Sequence, residues 1–171
     1  MILRPATTGD ASGIAAVHVA GWQAAYRHLL PAAYLDALDP AEREVRWSMR
    51  LPRGVLIAEV DGQIAGFAST GRCRDEDLPG STELYALYLA PDRWRHGLGS
   101  ALLEAVVVPG LVLWTLAGNG GARAFYERRG FRTDGAAKTI SPGGHVLVEL
   151  RYQLGEVPGY GARARRQDVH S

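Results

Sequence analysis

The sequence predicts a single mixed α/β (α+β) domain rather than a doubly wound one, and three observations carry that reading. Helical periodicity dominates from Asp10 to Met49, and strand periodicity replaces it after Pro52 and Gly54. An Asp61-Gly62 pair joins two strand segments in the manner of a tight hairpin. Farther on, strands and helices alternate, and one strand, Leu111 to Leu116, is almost wholly apolar, as a strand buried on both faces must be. A length of 171 residues suits one domain with a core of its own.

The elements follow in order. Met1 to Arg4 reads as a short strand stopped by Pro5. Thr7, Thr8 and Asp10 offer caps for a helix whose apolar positions are Ile14, Val17, His18, Gly21, Trp22, Ala25, Tyr26 and Leu29. Pro31 ends it and starts a second helical piece with Tyr34, Leu35 and Leu38; Asp39-Pro40 opens a third, Ala41 to Met49. Val55 to Val60 and Gln63 to Thr70 form the hairpin strands, and a polar loop from Gly71 to Ser81 holds Asp75, Glu76 and Asp77. Glu83 to Ala90 is the next strand, and Leu98, Ala101, Leu102 and Ala105 share one face of the helix after it. Pro109-Gly110 breaks the chain before the apolar strand. Asn119 precedes a helix over Gly121 to Arg129 that Gly130 closes. A strand from Phe131, a turn at Ser141-Pro142-Gly143-Gly144 and an alternating strand from His145 to Leu154 complete a domain of residues 1–154. Residues 155–171, with glycines, scattered arginines and little to bury, read as a mobile tail.

Composition excludes several function classes. The net charge of +1 gives no general argument for nucleic acid, and the tail arginines Arg163, Arg165 and Arg166 read as a solvated end. Cys73 is the only cysteine, so no internal disulfide forms, and no metal-ligand spacing is present; His18 and His28 are not placed to share an ion. No apolar run approaches the ~20 residues of a membrane span, and the N-terminus lacks a signal peptide, so a cytoplasmic location is expected.

The stretch that carries chemistry is LYLAPDRWRHGLGSALLEAV, Leu87 to Val106. A strand ends, a basic segment follows, and Gly97 and Gly99 lead into a helix. Backbone amides and the helix dipole at such a junction bind anions, and glycine lets a ligand lie close to the main chain. Arg93, Arg95 and His96 add positive potential. A P-loop would need lysine before Ser100, and a dinucleotide fingerprint would need a small residue at Leu102 and usually sits at the first strand–helix turn. Neither condition is met.

Trp94-Arg95-His96-Gly97-Leu98-Gly99 instead resembles the Q/R-x-x-G-x-G/A turn of the GNAT N-acetyltransferase superfamily, with Trp94 standing where glutamine or arginine is usual. A second block, NGGARAFYERRGF from Asn119 to Phe131, is similar to the family's N-x-x-A-x-x-x-Y-x-x-x-G-F segment at Asn119, Ala122, Tyr126, Gly130 and Phe131. The likeness covers Ile2 to about Leu154; the short join from Val107 to Gly110 departs from the longer helix that many members have there.

The resemblance implies the GNAT fold, a mixed central sheet of about seven strands with helices on both faces. It implies acetyl-CoA as co-substrate and direct transfer of its acetyl group to a primary amine. The main chain of Leu87, Tyr88 and Leu89 would hold the pantetheine arm, and the amides across Trp94, Arg95, His96, Gly97, Leu98, Gly99 and Ser100 would bind the pyrophosphate. Asn119 would reach a pantetheine carbonyl or cap its helix. Tyr126 would protonate the departing thiolate, the Leu87 amide would face the oxyanion, and Glu83 would deprotonate the amine, directly or through water. Trp22 and Tyr26, four residues apart on one helix face, either line the acceptor pocket or join the core. Asp75, Glu76 and Asp77 either attract a cationic amine or stand solvated. Many relatives pair as dimers, which is a prior for a homodimer and not something read from the residues; no metal, nucleic acid or membrane partner is expected. A non-catalytic acetyl-CoA-binding sensor or docking module of the same fold is the alternative.

Overall fold

A computed structural model describes residues 1–155, so the tail expected over 155–171 lies, Gly155 aside, outside the described residues. The chain divides into two compact units. The first contains Met1–Gly71 and Leu84–Val106, the second Arg72–Glu83 and the described residues from Val107 onward.

The first unit opens with β1 (Ile2–Pro5), followed by α1 (Ala11–Ala25), α2 (Ala32–Asp36) and α3 (Pro40–Arg50), then β2 (Val55–Val60), β3 (Gln63–Arg72), β4 (Thr82–Leu89) and α4 (Leu98–Val106). Its strands lie in the order β1-β2-β3-β4. β1 and β2 are antiparallel, with Ile2 opposite Glu59 and Pro5 opposite Leu56. The Arg4 guanidinium ties the first strand to the first helix: it donates to Asp10 Oδ2 at 2.8 Å and to Glu59 Oε2 at 3.1 Å. The hairpin is formed as expected, with Asp61 at φ 53° and Gly62 at φ 76°, the left-handed pair that a two-residue turn between twisted strands demands.

Asp39 caps α3 by accepting from the Ala41 amide at 2.8 Å, with Pro40 at the first helical position. The core of this unit contains Ile14, Val17, Trp47, Ile57 and Phe67. Gly54 has φ 63°, and a Cβ there would lie 2.2 Å from the Thr70 carbonyl oxygen, so no other residue fits. Helical periodicity ran on to Leu29, but α1 ends at Ala25 with Tyr26 as its C-cap. The chain then turns, Leu29 and Leu30 both donating to the Tyr26 carbonyl at 2.9 Å, because the approach to Pro31 disfavours helix.

The second unit contains β5 (Val112–Leu116), α5 (Gly120–Glu127), β6 (Phe131–Ile140) and β7 (Leu147–Leu154), with strand order β5-β7-β6. Both pairings are antiparallel: Leu113 faces Tyr152, and Phe131 faces Leu154. Leu111, Val112 and Leu113 are all buried in succession, which bears out two-faced burial of this strand. Seven strands in all match the number the resemblance implied.

Candidate functional site

The glycine turn is built from the end of β4. Ala90 donates to the Ala65 carbonyl at 2.9 Å, and Pro91–Arg93 form a single 3-10 turn. The Trp94 indole N–H then reaches back to the Leu89 carbonyl at 3.2 Å. Where the family carries glutamine or arginine, this chain therefore staples the start of the turn to the end of the strand. Arg95 (φ 64°) and Gly97 (φ 81°) both take left-handed backbone, a conformation that costs a residue with a Cβ roughly 1–2 kcal/mol and is held only where the surroundings require it. Nothing lies within 4 Å of where a Cβ on Gly97 would stand, so the glycine answers to its backbone angle and leaves room beside the main chain. The Gly97 carbonyl accepts from Ala101 at 3.0 Å and so begins α4, which leaves the amides of Leu98 and Gly99 without intrahelical acceptors.

Of the cations noted in the sequence, Arg93 is compensated, 3.3 Å from Asp92 and 3.9 Å from Asp61. Arg95 has no carboxylate partner among the described residues, and both Arg95 and His96 are exposed. The uncompensated positive charge of the turn rests on Arg95 among the described residues.

Trp22 and Tyr26 belong to a larger aromatic cluster of the same unit. Their rings meet edge to face at 4.9 Å, and the Tyr26 and Tyr88 hydroxyls share a hydrogen bond of 3.1 Å. His18 stacks on Tyr88 at 4.8 Å, and its Nδ1 accepts from the Trp47 indole at 3.2 Å. Burial, and then the charges of Arg43 and Arg50, lower the His18 pKa to about 3, so the imidazole is neutral at pH 7. The Trp22 indole N–H is buried and has no hydrogen-bond acceptor. Tyr26 is buried at 9% exposure, whereas Trp22 is half-buried.

In the second unit, Asn119 caps α5: its Oδ1 accepts from the Ala122 amide at 3.1 Å. That use of the oxygen points the amide NH₂ to any further partner. Tyr126, on the same helix, is 8% exposed, with its ring edge-on to Phe125 at 5.1 Å and to Phe131 at 5.6 Å. Glu83 is 1% exposed and gripped by Arg74, whose backbone amide and Nε both donate to Oε2 at 3.1 Å while Nη2 donates to Oε1. The acidic loop is not a free lure for cations. Arg151, only 7% exposed, donates to Asp75 at 3.2 Å, to Asp77 at 2.7 Å and to Asp134 at 2.7 Å, and the Trp114 indole donates to Asp75 at 3.0 Å. Two of the three loop carboxylates are thus committed to structure. Hydrogen bonds from Arg151 hold Asp77 below the usual carboxylate range. Asp134 also falls below it: burial pushes upward but is outweighed by the Ala136 amide, Arg151 and Gln153.

Sequence reasoning missed Arg151 and Arg74 as partners because both bonds close loops through space, with only residue type as a signal. It also missed His18 as an aromatic neighbour, although its place on the apolar stripe of α1 was visible. Among the described residues, no cluster of His, Cys, Asp or Glu could hold a metal ion, and no helix is long and apolar enough to cross a membrane.

A strand, a left-handed glycine turn and a helix start, followed in the chain by an asparagine-capped helix with a buried tyrosine, stand in the order that the resemblance to the GNAT acetyltransferases implied. Residues 22–131 match the acetyltransferase (GNAT) family, and the chain belongs to that family. It is similar to a probable N-acetyltransferase of Mycobacterium tuberculosis, Rv2775, at 31% identity over 89% of this chain and 92% of the relative. It is also similar to the uncharacterized N-acetyltransferase YuaI of Bacillus subtilis, at 41% identity over 59% of each chain. Among solved structures, a ribosomal-protein-alanine N-acetyltransferase from Brucella melitensis superposes with a TM-score of 0.64 at 27% identity, over 90% of this chain and 98% of that one.

Proposed function

We propose that this enzyme acetylates a primary amine directly, with no acyl-enzyme intermediate, and that its glycine turn binds the acetyl-CoA diphosphate through main-chain amides. The observation that supports this most is the turn itself, with Arg95 and Gly97 in left-handed backbone and Arg95 carrying, among the described residues, an uncompensated charge at the start of α4. The peptide groups of Leu87, Tyr88 and Leu89 hold the pantetheine arm in this reading, and the Asn119 NH₂ donates to one of its carbonyls. The neutral amine attacks the thioester carbon, the Leu87 amide faces the oxyanion, and collapse expels the thiolate, which takes its proton from the Tyr126 hydroxyl. Glu83 is the proposed base. Held in place by Arg74, it takes the ammonium proton directly or through water. The resemblance further supports a cytoplasmic enzyme, with a homodimer as the assembly to look for by sedimentation.

Thiol release from acetyl-CoA over a mixed set of amines tests the activity. In Tyr126→Phe, kcat is expected to fall roughly 10²-fold or more, within the ~10²–10⁴ range of one acid–base group, while acetyl-CoA affinity holds. An unchanged rate removes the acid role, and no acetyl-CoA binding by calorimetry ends the whole reading.

A further inference from the structure

The aromatic cluster of the first unit is bordered by two cations that no carboxylate pairs among the described residues. On α3, Arg43, Trp47 and Arg50 are spaced i, i+4, i+7 and so share one stripe of the helix. Trp47 is the buried member, at 3% exposure, and the two arginines flank it. The Arg50 guanidinium lies 5.5 Å from the centre of the Trp47 ring and 5.8 Å from that of Tyr85. Stacking of this kind uses the flat face of the group and leaves its N–H edge to donate. Neither Arg43 nor Arg50 forms an ion pair among the described residues, although Glu42 and Glu44 stand on the same helix. The charges of both reach His18, which accepts from the Trp47 indole and stacks on Tyr88.

The rings of this cluster, His18, Trp22, Tyr26, Trp47, Phe67 and Tyr88, are bordered by two guanidiniums that no described carboxylate pairs. They include the buried Trp22 indole N–H that lacks an acceptor, a donor that is costly to desolvate unless an oxygen meets it. A site for a di- or polycationic amine needs the reverse set: carboxylates, or aromatic faces without adjacent guanidiniums.

We propose that Arg50, braced on the buried Trp47 ring and seconded by Arg43, forms a carboxylate subsite beside the half-buried Tyr85 ring, so that the acceptor is an amine that also bears a carboxylate, an amino acid or a close relative of one. The inference rests on the acetyltransferase reading above and narrows it from any primary amine to this class. The carboxylate meets the guanidinium edge, the hydrocarbon part of the acceptor lies against the half-buried Tyr85 ring, and the amine is left to attack.

The test uses matched pairs: an α-amino acid and the amine left by its decarboxylation, such as phenylalanine with phenethylamine and lysine with cadaverine. With the full-length enzyme, kcat/KM is expected to favour the carboxylated member about 10- to 100-fold, as one charge-assisted hydrogen-bonding partner provides. In Arg50→Gln that preference collapses through KM, Arg50→Lys restores part of it, and calorimetry shows acetyl-CoA affinity unchanged. Equal or faster turnover of the decarboxylated members, silence of every carboxylated amine, or an amino-acid KM unmoved in Arg50→Gln each overturns the subsite. Loss of acetyl-CoA binding by the wild-type enzyme is the separate result that removes the parent reading instead.

Discussion

Arg151 in the second unit and Arg50 in the first are the same side chain put to opposite uses. Arg151 is buried and carries Asp75, Asp77 and Asp134 at once, so its donors are filled by the protein itself. Arg50 is exposed, stacked on two rings, and meets no carboxylate among the described residues. Arg95, at the glycine turn, resembles Arg50 in this respect. A guanidinium saturated by carboxylates fixes a loop; one left unsaturated beside left-handed backbone or aromatic faces is available to an anion brought by a ligand. The contrast separates arginines that maintain the fold from those that recognise small molecules.

The most severe way to break that contrast is Arg151→Met. The substitution keeps an apolar stem but leaves Asp75 and Asp134 partly buried without their guanidinium. A loss of about 2–3 kcal/mol is expected, somewhat below the range for a fully buried pair because the carboxylates keep some water. The urea midpoint reads it, and a shift worth less than about 1 kcal/mol would mean that the network is ornamental.

His18 and the carboxylates bound by Arg151 also differ in the pH at which they weaken the fold. His18 in the unfolded chain takes up a proton near pH 6.5, whereas in the fold it resists until about 3, so stability falls as pH drops below 6.5. Between pH 6.5 and 5 the wild type should lose roughly 2 kcal/mol, and His18→Gln should flatten that slope even though it starts from a less stable protein. Asp77 and Asp134 act lower. Their folded values lie beneath the 3.8 of the free group, so their stabilisation is complete above that pH and is lost as pH falls through the folded values. Thermal melts across pH 3 to 7 for wild type, His18→Gln and Arg151→Met should therefore show two separate limbs; a single shared limb would contradict the assignment.

The mildest test concerns the turn. Gly97→Ala puts a Cβ on backbone at φ 81° where no protein atom obstructs it. Acetyl-CoA affinity should weaken by about tenfold, the equivalent of the ~1–2 kcal/mol cost of left-handed backbone for a non-glycine residue, as the turn relaxes away from its binding shape. The melting temperature should move by only a few degrees. A large melting shift with intact affinity would make the turn a structural element and not a ligand cradle.

Much of this was legible in the residues. Val55–Val60 was read to the residue, and the hairpin at Asp61-Gly62, the helix starts at Pro40 and Leu98, and the cap at Asn119 all follow from local chemistry that acts within a few positions. The family itself was legible because its motifs depend on backbone requirements, glycine at left-handed angles and asparagine at a helix start, which a sequence displays directly. The end of α1 was misjudged because apolar spacing continues through Tyr26 and Leu29 while the backbone obeys Pro31. The loop carboxylates looked available because composition carries no record of a partner 74 or 76 residues away.

By itself, then, the sequence determined the succession of elements, the glycine turn and the class of chemistry, since each is set by short-range sterics and hydrogen bonding. Only the tertiary structure decided which charges are spent. Pairing depends on which side chains the packed strands and helices bring within a few ångströms, as with Arg151 and its three aspartates and with Arg74 and Glu83, while Arg50 and Arg95 meet no carboxylate among the described residues.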